Sequence, residues 1–241
     1  MDAAVRVVVQ ARMGSTRLPG KTLAPLAGRP LLEHVVRRLQ AAEEYVECPW
    51  EVVVATTCEP EDNRIEALCG KLGVTCIRGS ALDVLERFLE ATEDLPNDAV
   101  ALRATADNPA YCPVRTAAIY HEHLRADAEY TCVQELSYVV PEVFQVGALR
   151  RMARVAADPH QREHVTPFFR QFPWAFRARQ LPSDWRGLRR EIALSVDTPG
   201  DLARMQQLFA ALAATDGMFS LEDVYHCCDR FERPLTRPAA A

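Results

Sequence analysis

The chain has 241 residues, enough for one substantial core with a small appended lobe, and its length does not call for two domains. Hydrophobic residues at 49% and charged residues at 25% are ordinary for a soluble globular protein, and a net charge of −5 argues against general nucleic-acid binding. The eight cysteines form no CxxC pair, and the apolar run Val5 to Val9 is too short for a secretion signal and is broken by Arg6. No stretch approaches the roughly 20 apolar residues of a membrane span, so a reduced cytoplasmic protein without a membrane partner is expected.

In chain order, Val5 to Gln10 is a β-branched run that reads as a buried strand. A long loop, ARMGSTRLPGKTLAPLAGR, follows it. Pro30 opens a helix with Leu31, Leu32, Val35, Val36 and Leu39 on one face. Glu51 to Thr56 reads as a strand, and Glu61 to Leu72 as a helix stopped by Gly73. Val74 to Ile77, Asp83 to Thr92 and Ala99 to Arg103 read as strand, helix and strand. This alternation predicts an α/β fold: a mixed, mainly parallel sheet with helices on both faces, binding ligand at the carboxyl ends of its strands. From 134 to 190 the rhythm changes to scattered aromatics, prolines and arginines. That stretch reads as a small lobe inserted into a single domain (1–241), serving acceptor binding or formation of a homodimer. A strand at Ile192 to Val196, a helix from Pro199 to about Ala213 and an amphipathic helix at Leu221 to Arg230 complete the pattern. The RPAAA tail is expected to be disordered.

The segment GSTRLPGKT nearly spells a P-loop. Five residues separate Gly14 from Gly20 where a P-loop has four, and Pro25, Gly28 and Pro30 oppose an immediate helix. No GxGxxG follows the first strand either, so a dinucleotide fingerprint is absent. What remains is Arg12, Gly14, Ser15, Arg17 and Lys21 just beyond a buried strand. Glycine admits close approach of a phosphate and the cations can surround it; the alternative is an exposed arginine-rich turn. Asp107 and Asp197 each follow a predicted strand, and carboxylates so placed suit an oxygen-seeking cation such as Mg²⁺. Asp197 also reads as a helix N-cap before Pro199, Asp107 as a turn residue in Asp-Asn-Pro, and Ser80 as a cap. His121 and His123, two apart, face different sides of a helix and make a poor metal pair.

The motifs ARMGSTRLPGK, ATTCEPEDNRI, RGSALDVLERF, LRATADNP, REHVTPFF and SVDTPGDL together resemble the SpsF-like branch of the cytidylyltransferase family. That family includes enzymes that activate acidic sugars, and the resemblance spans most of the chain. It implies a glycosyltransferase-A-like nucleotide-binding fold and Mg²⁺-dependent transfer of CMP from CTP, with release of pyrophosphate. It further implies catalytic roles for Arg12, Lys21, Asp107 and Asp197, the two aspartates holding the metal. Nucleotide contacts are implied at Ala11, Arg12, Gly14, Ser15, Arg17, Lys21, Gly79, Ser80, Asp83, Arg103 and Asp107, and acceptor contacts at Glu142, Arg162 and His164. For His164 a structural role competes with proton removal. Three places depart from the family pattern: Ala106 replaces glycine, Tyr111 and Cys112 stand where an acid is usual, and Val140 replaces an acid. These departures point to a small anionic acceptor, a sugar acid or a phosphonate, with Arg162 directed into its pocket. Two rival readings remain. A glycosyltransferase of the same fold would commonly carry a DxD motif, which this chain lacks, and a non-catalytic nucleotide-binding subunit would not need both aspartates.

Overall fold

The computed structural model describes residues 5–189 and 191–230; the predicted disorder of RPAAA falls outside the described residues. The valine-rich run forms β1 (Val5–Gln10), in the interior of a seven-stranded sheet. Side chains alternate across a strand, and here Val5, Val7 and Val9 enter one core cluster while Val8 enters the other. Both faces of β1 are therefore buried, which is why the sequence shows a continuous apolar run rather than a polar alternation.

After β1, a two-stranded ribbon of β2 (Pro25–Leu26) and β3 (Arg29–Pro30) leads into α1 (Leu31–Gln40), whose five expected apolar residues are all buried. Then come β4 (Trp50–Thr57), α2 (Asn63–Leu72), β5 (Thr75–Gly79), α3 (Val84–Glu90) and β6 (Val100–Thr105). Gly73 ends α2 in the left-handed conformation, with φ of 66°. The chain continues through α4 (Pro113–Arg125), β7 (Tyr130–Val133), β8 (Glu142–Gln145) and α5 (Val146–Ala153). The remaining elements are α6 (Pro159–His164), α7 (Pro167–Gln171), β9 (Ala178–Leu181), α8 (Pro199–Ala211) and α9 (Leu221–Arg230).

The strand order is β5-β4-β1-β6-β8-β7-β9. The first four strands are mutually parallel, β8 runs antiparallel to both β6 and β7, and β9 is parallel to β7. Apolar residues of α1, α2, α4, α8 and α9 pack in one cluster and those of α3, α5 and α7 in the other, so both faces are covered as expected.

One expectation is corrected. The segment Ile192–Val196 is not a strand: Ile192 makes an isolated bridge and the residues after it join no ladder. Its backbone groups are engaged elsewhere, because the Val196 N–H donates to the Asp107 carbonyl at 2.9 Å and its own carbonyl accepts from Lys21 at 2.9 Å. The stretch read from the sequence as an inserted lobe also takes part in the sheet. It supplies β8 and β9 to the main sheet, strands of only four residues each, too short to stand out among the surrounding arginines and aromatics.

Candidate active site

Because β4, β1 and β6 are parallel neighbours, their carboxyl ends share one edge, and the loops leaving them meet there. The loop after β1 is held by specific bonds. The Met13 N–H donates to the buried Asp62 carboxylate at 2.7 Å, Asp62 also takes the Thr57 hydroxyl, and Thr22 Oγ1 donates to the Arg12 carbonyl at 2.7 Å. Gly20 turns the chain with φ of 74°, a conformation costly for any side-chain-bearing residue, and opens a short 3₁₀ turn from Lys21 to Leu23. That reversal carries Lys21 across the strand ends. Its Nζ donates to Asp107 Oδ2 at 2.7 Å, to Asp197 Oδ1 at 2.9 Å and to the Val196 carbonyl at 2.9 Å. Arg17 reaches Asp197 Oδ1 as well, at 2.9 Å.

Each carboxylate is fixed by its own surroundings. Asp107 accepts the Thr105 hydroxyl at 2.7 Å. The loop around it is braced by Tyr111, whose buried phenol oxygen accepts from the Thr105 N–H at 2.9 Å and from Asn108 Nδ2 at 3.0 Å. Burial pushes the Tyr111 phenol above its ordinary pKa, which keeps it neutral. On the other side, Thr198 and not Asp197 caps α8, in a reciprocal capping box with Asp201. The Asp197 side chain is thereby left to Lys21 and Arg17. Two carboxylates and a carbonyl converging on one ammonium form an all-oxygen donor set, the kind a hard divalent cation accepts. Among the described residues no group of three or more His, Cys, Asp or Glu side chains is placed to hold a metal ion. A cation bound here would complete its shell with substrate oxygens and water, as Mg²⁺ commonly does.

The aspartates and the loop after β1 line a cavity of about 420 Å³, within the range of small-molecule sites. It brings together Ala11, Arg12, Gly14, Ser15, Arg17, Lys21, Arg103, Asp107, His164 and Asp197 from the predicted set, and adds Gln10, Val84, Arg87 and Glu163. Five cationic side chains face three carboxylates, so the cavity favours an anionic ligand. His164 stands in it beside His160, ring centroids 4.5 Å apart, and burial holds its pKa below the ordinary value despite the pull of Glu163.

Five predicted contacts do not line the cavity. Ser80 Oγ accepts the Asp83 N–H at 3.1 Å, and Asp83 caps α3 through the Glu86 N–H at 3.0 Å. Asp83 also binds Arg162, whose Nε donates to Oδ2 at 2.6 Å and whose NH1 donates to the Ala156 carbonyl at 3.0 Å. Arg162 therefore ties α6 to the start of α3 and does not point into a pocket, and Gly79 lies outside the lining too. Glu142 is 1% exposed and cannot meet an acceptor. It accepts from Arg103 at 2.8 Å, Tyr130 at 2.6 Å, Thr166 at 2.7 Å and Arg170 at 2.5 Å. Burial pushes the Glu142 carboxyl up, but Arg103 and Arg170 outweigh it and hold the pKa below the usual carboxylate range. Val140 is equally buried, so the missing acid there says nothing about the acceptor.

Residues 6–223 match the family described as Cytidylyltransferase. The chain is 32% identical over 204 residues to the spore coat polysaccharide biosynthesis protein SpsF of Bacillus subtilis, covering 84% of this chain and 85% of that protein. It is 35% identical over 135 residues to a 3-deoxy-manno-octulosonate cytidylyltransferase of Nitrosococcus oceani, covering 53% and 49% of the respective chains. A cytidylyltransferase from Leptospira borgpetersenii superposes with a TM-score of 0.84 at 25% identity, over 95% of this chain and 94% of its own.

Proposed function

Because the chain belongs to the cytidylyltransferase family, a group of nucleotidyltransferases, we propose that it transfers a cytidylyl group from CTP to a small acidic acceptor, a sugar acid or a phosphonate. The observation that carries this reading is the convergence of Asp107 and Asp197 on Lys21 at the mouth of a cation-rich cavity. In the reaction an acceptor oxygen, either an ionised phosphonate oxygen or a sugar-acid hydroxyl that gives up its proton to solvent, forms a bond to the α-phosphorus. The bond from that phosphorus to the β-bridging oxygen breaks, and pyrophosphate leaves with the electron pair.

Arg12, Arg17 and Lys21 neutralise the triphosphate and the departing pyrophosphate, which is where charge builds up as the bond breaks. Asp107 and Asp197 would hold Mg²⁺, which would supply Lewis-acid stabilisation of the phosphoryl oxygens. Lys21, which pairs with both carboxylates in the unliganded site, would then be free to direct its charge toward phosphate. On the opposite wall Arg103, oriented by Glu142 and by Gln10 at 3.1 Å, offers a guanidinium to the acceptor's anionic group, with His164 beside it. Of the departures from the family pattern, Ala106 lines the cavity next to Asp107, Tyr111 braces the Asp107 loop, and Cys112 and Val140 are buried in the core; the acceptor assignment rests on the charge of the cavity.

The test is pyrophosphate release with each of the four ribonucleoside triphosphates against sugar acids, phosphonates and neutral sugar 1-phosphates. Release with CTP and an acidic acceptor is expected. Efficient transfer to a neutral sugar 1-phosphate with no response to acids would refute the acceptor assignment, and equal use of all four nucleotides would refute the cytidylyl assignment.

A further inference from the structure

Among the described residues, Arg87 differs from the other cations that line the cavity. Arg12, Arg17, Lys21 and Arg103 each form an ion pair with a carboxylate, and Arg87 forms none. It is 1% exposed, yet it lines the cavity wall. Its NH1 donates to the Ser80 carbonyl at 3.1 Å, and its buried Nε has no partner. Burial holds its pKa below the ordinary arginine value, the mark of a charge poorly compensated, and the nearby charge of Arg12 acts in the same direction. Of the carboxylates that pull the other way, Glu90 lies one turn further along α3 and makes no ion pair with Arg87, and the other two have partners of their own. Asp62 binds the Met13 N–H and the Thr57 hydroxyl, and Asp83 binds Arg162 and the Glu86 N–H.

A buried guanidinium without a carboxylate is a liability to a folded protein unless a ligand completes it. A neutral base would leave the mutual repulsion of Arg87 and Arg12 in place, whereas an anion relieves it. On the nucleotide-binding reading above, we infer that Arg87 is a phosphate-binding residue that donates to the triphosphate alongside Arg12. It acts from α3, just after Gly79, Ser80 and Asp83, for which the family resemblance implies nucleotide contacts.

The experiment compares wild type with Arg87→Met and Arg87→Lys, measuring thermal stability and calorimetric binding of CTP, tripolyphosphate and cytidine. Arg87→Met is expected to weaken CTP and tripolyphosphate about 10- to 100-fold, leave cytidine unchanged and not lower the Tm. Wild-type affinity for CTP in Arg87→Met overturns the assignment, as does a lowered Tm with all three affinities unchanged, which would make Arg87 a structural residue. If Arg87→Met does not fold, Arg87→Lys keeps the charge and loses the planar fork, and should bind tripolyphosphate several-fold more weakly. Unchanged binding there overturns the assignment too. A wild-type chain that binds neither CTP nor tripolyphosphate refutes the nucleotide reading itself, which separates the two failures.

Discussion

Replacing Lys21 with Gln removes the ammonium that joins Asp107, Asp197 and the Val196 carbonyl. The lysine side chain is 13% exposed and the two aspartates 28% and 32%, so water screens the cluster without dissolving it. Charge-assisted hydrogen bonds contribute about 1.5–3 kcal/mol each, whereas exposed ion pairs stay below about 1 kcal/mol. For this partly exposed cluster roughly 2 kcal/mol in total is a reasonable figure. A divalent cation entering the wild-type site has to displace the lysine, and in the variant it meets two uncompensated carboxylates. The nucleotide-free Lys21→Gln protein should therefore bind Mn²⁺ about 30-fold more tightly, since 1.4 kcal/mol is tenfold. It should also lose about 100-fold in kcat, because the departing pyrophosphate loses a cation. Titration followed by the electron paramagnetic resonance of free Mn²⁺, without nucleotide, measures the first effect and pyrophosphate release the second. Mn²⁺ affinity that stays the same or falls would refute the claim that Lys21 occupies the cation position between the two aspartates.

Asp107→Asn and Asp197→Asn should each reduce pyrophosphate release by about 1,000-fold with little change in Tm; a folded Asp107→Asn variant with normal turnover would remove the metal assignment. Glu142→Gln leaves Arg103 and Arg170 facing a neutral amide in a fully buried position, so urea unfolding should show a loss of about 3 kcal/mol. A loss under about 1 kcal/mol would mean that the network is not what holds β6 to β8. His123 is buried, and burial lowers its pKa to about 4, so the unfolded chain takes up the proton first as the pH falls through the ordinary histidine value of 6.5. Stability present above that value is lost on the way down to the folded value, with about 2 kcal/mol of the loss between pH 7 and pH 5 due to this ring. In His123→Asn the decline measured by denaturant titration over that window should shrink by that amount, and an unchanged slope would count against it.

The nucleotide half of the fold was legible because its signals are local. A valine run buried on both faces, a glycine at a forced turn and an apolar stripe in α1 are all visible within ten residues of sequence. Asp107 and Lys21 were legible for the same reason, each lying just past a readable strand. The acceptor half was not, because its residues are defined by partners far along the chain. Arg162 looks like a ligand in sequence and is bound to Asp83, 79 residues away. Glu142 looks like a contact and is buried between Arg103 and Arg170. Asp197 lines the cavity but follows no strand, since an apolar run such as Ile192–Val196 does not reveal that its amide and carbonyl will bond to the Asp107 loop and Lys21. Arg87 was hidden inside α3, where an arginine four residues after the Asp83 cap gives no sign in sequence of facing a cavity.

The seam between β6 and β8, where Arg103 lies opposite Glu142, divides the sheet into a parallel half that carries the phosphate loop and an antiparallel half from which α6 brings Glu163 and His164. Across that seam the two halves share a single buried cluster of charges around Glu142. Such a division means that a change of length or sequence between β8 and β9 alters the Glu163 and His164 wall of the cavity while leaving the pairing of β4, β1 and β6 intact, so long as the Arg103–Glu142 pair is kept.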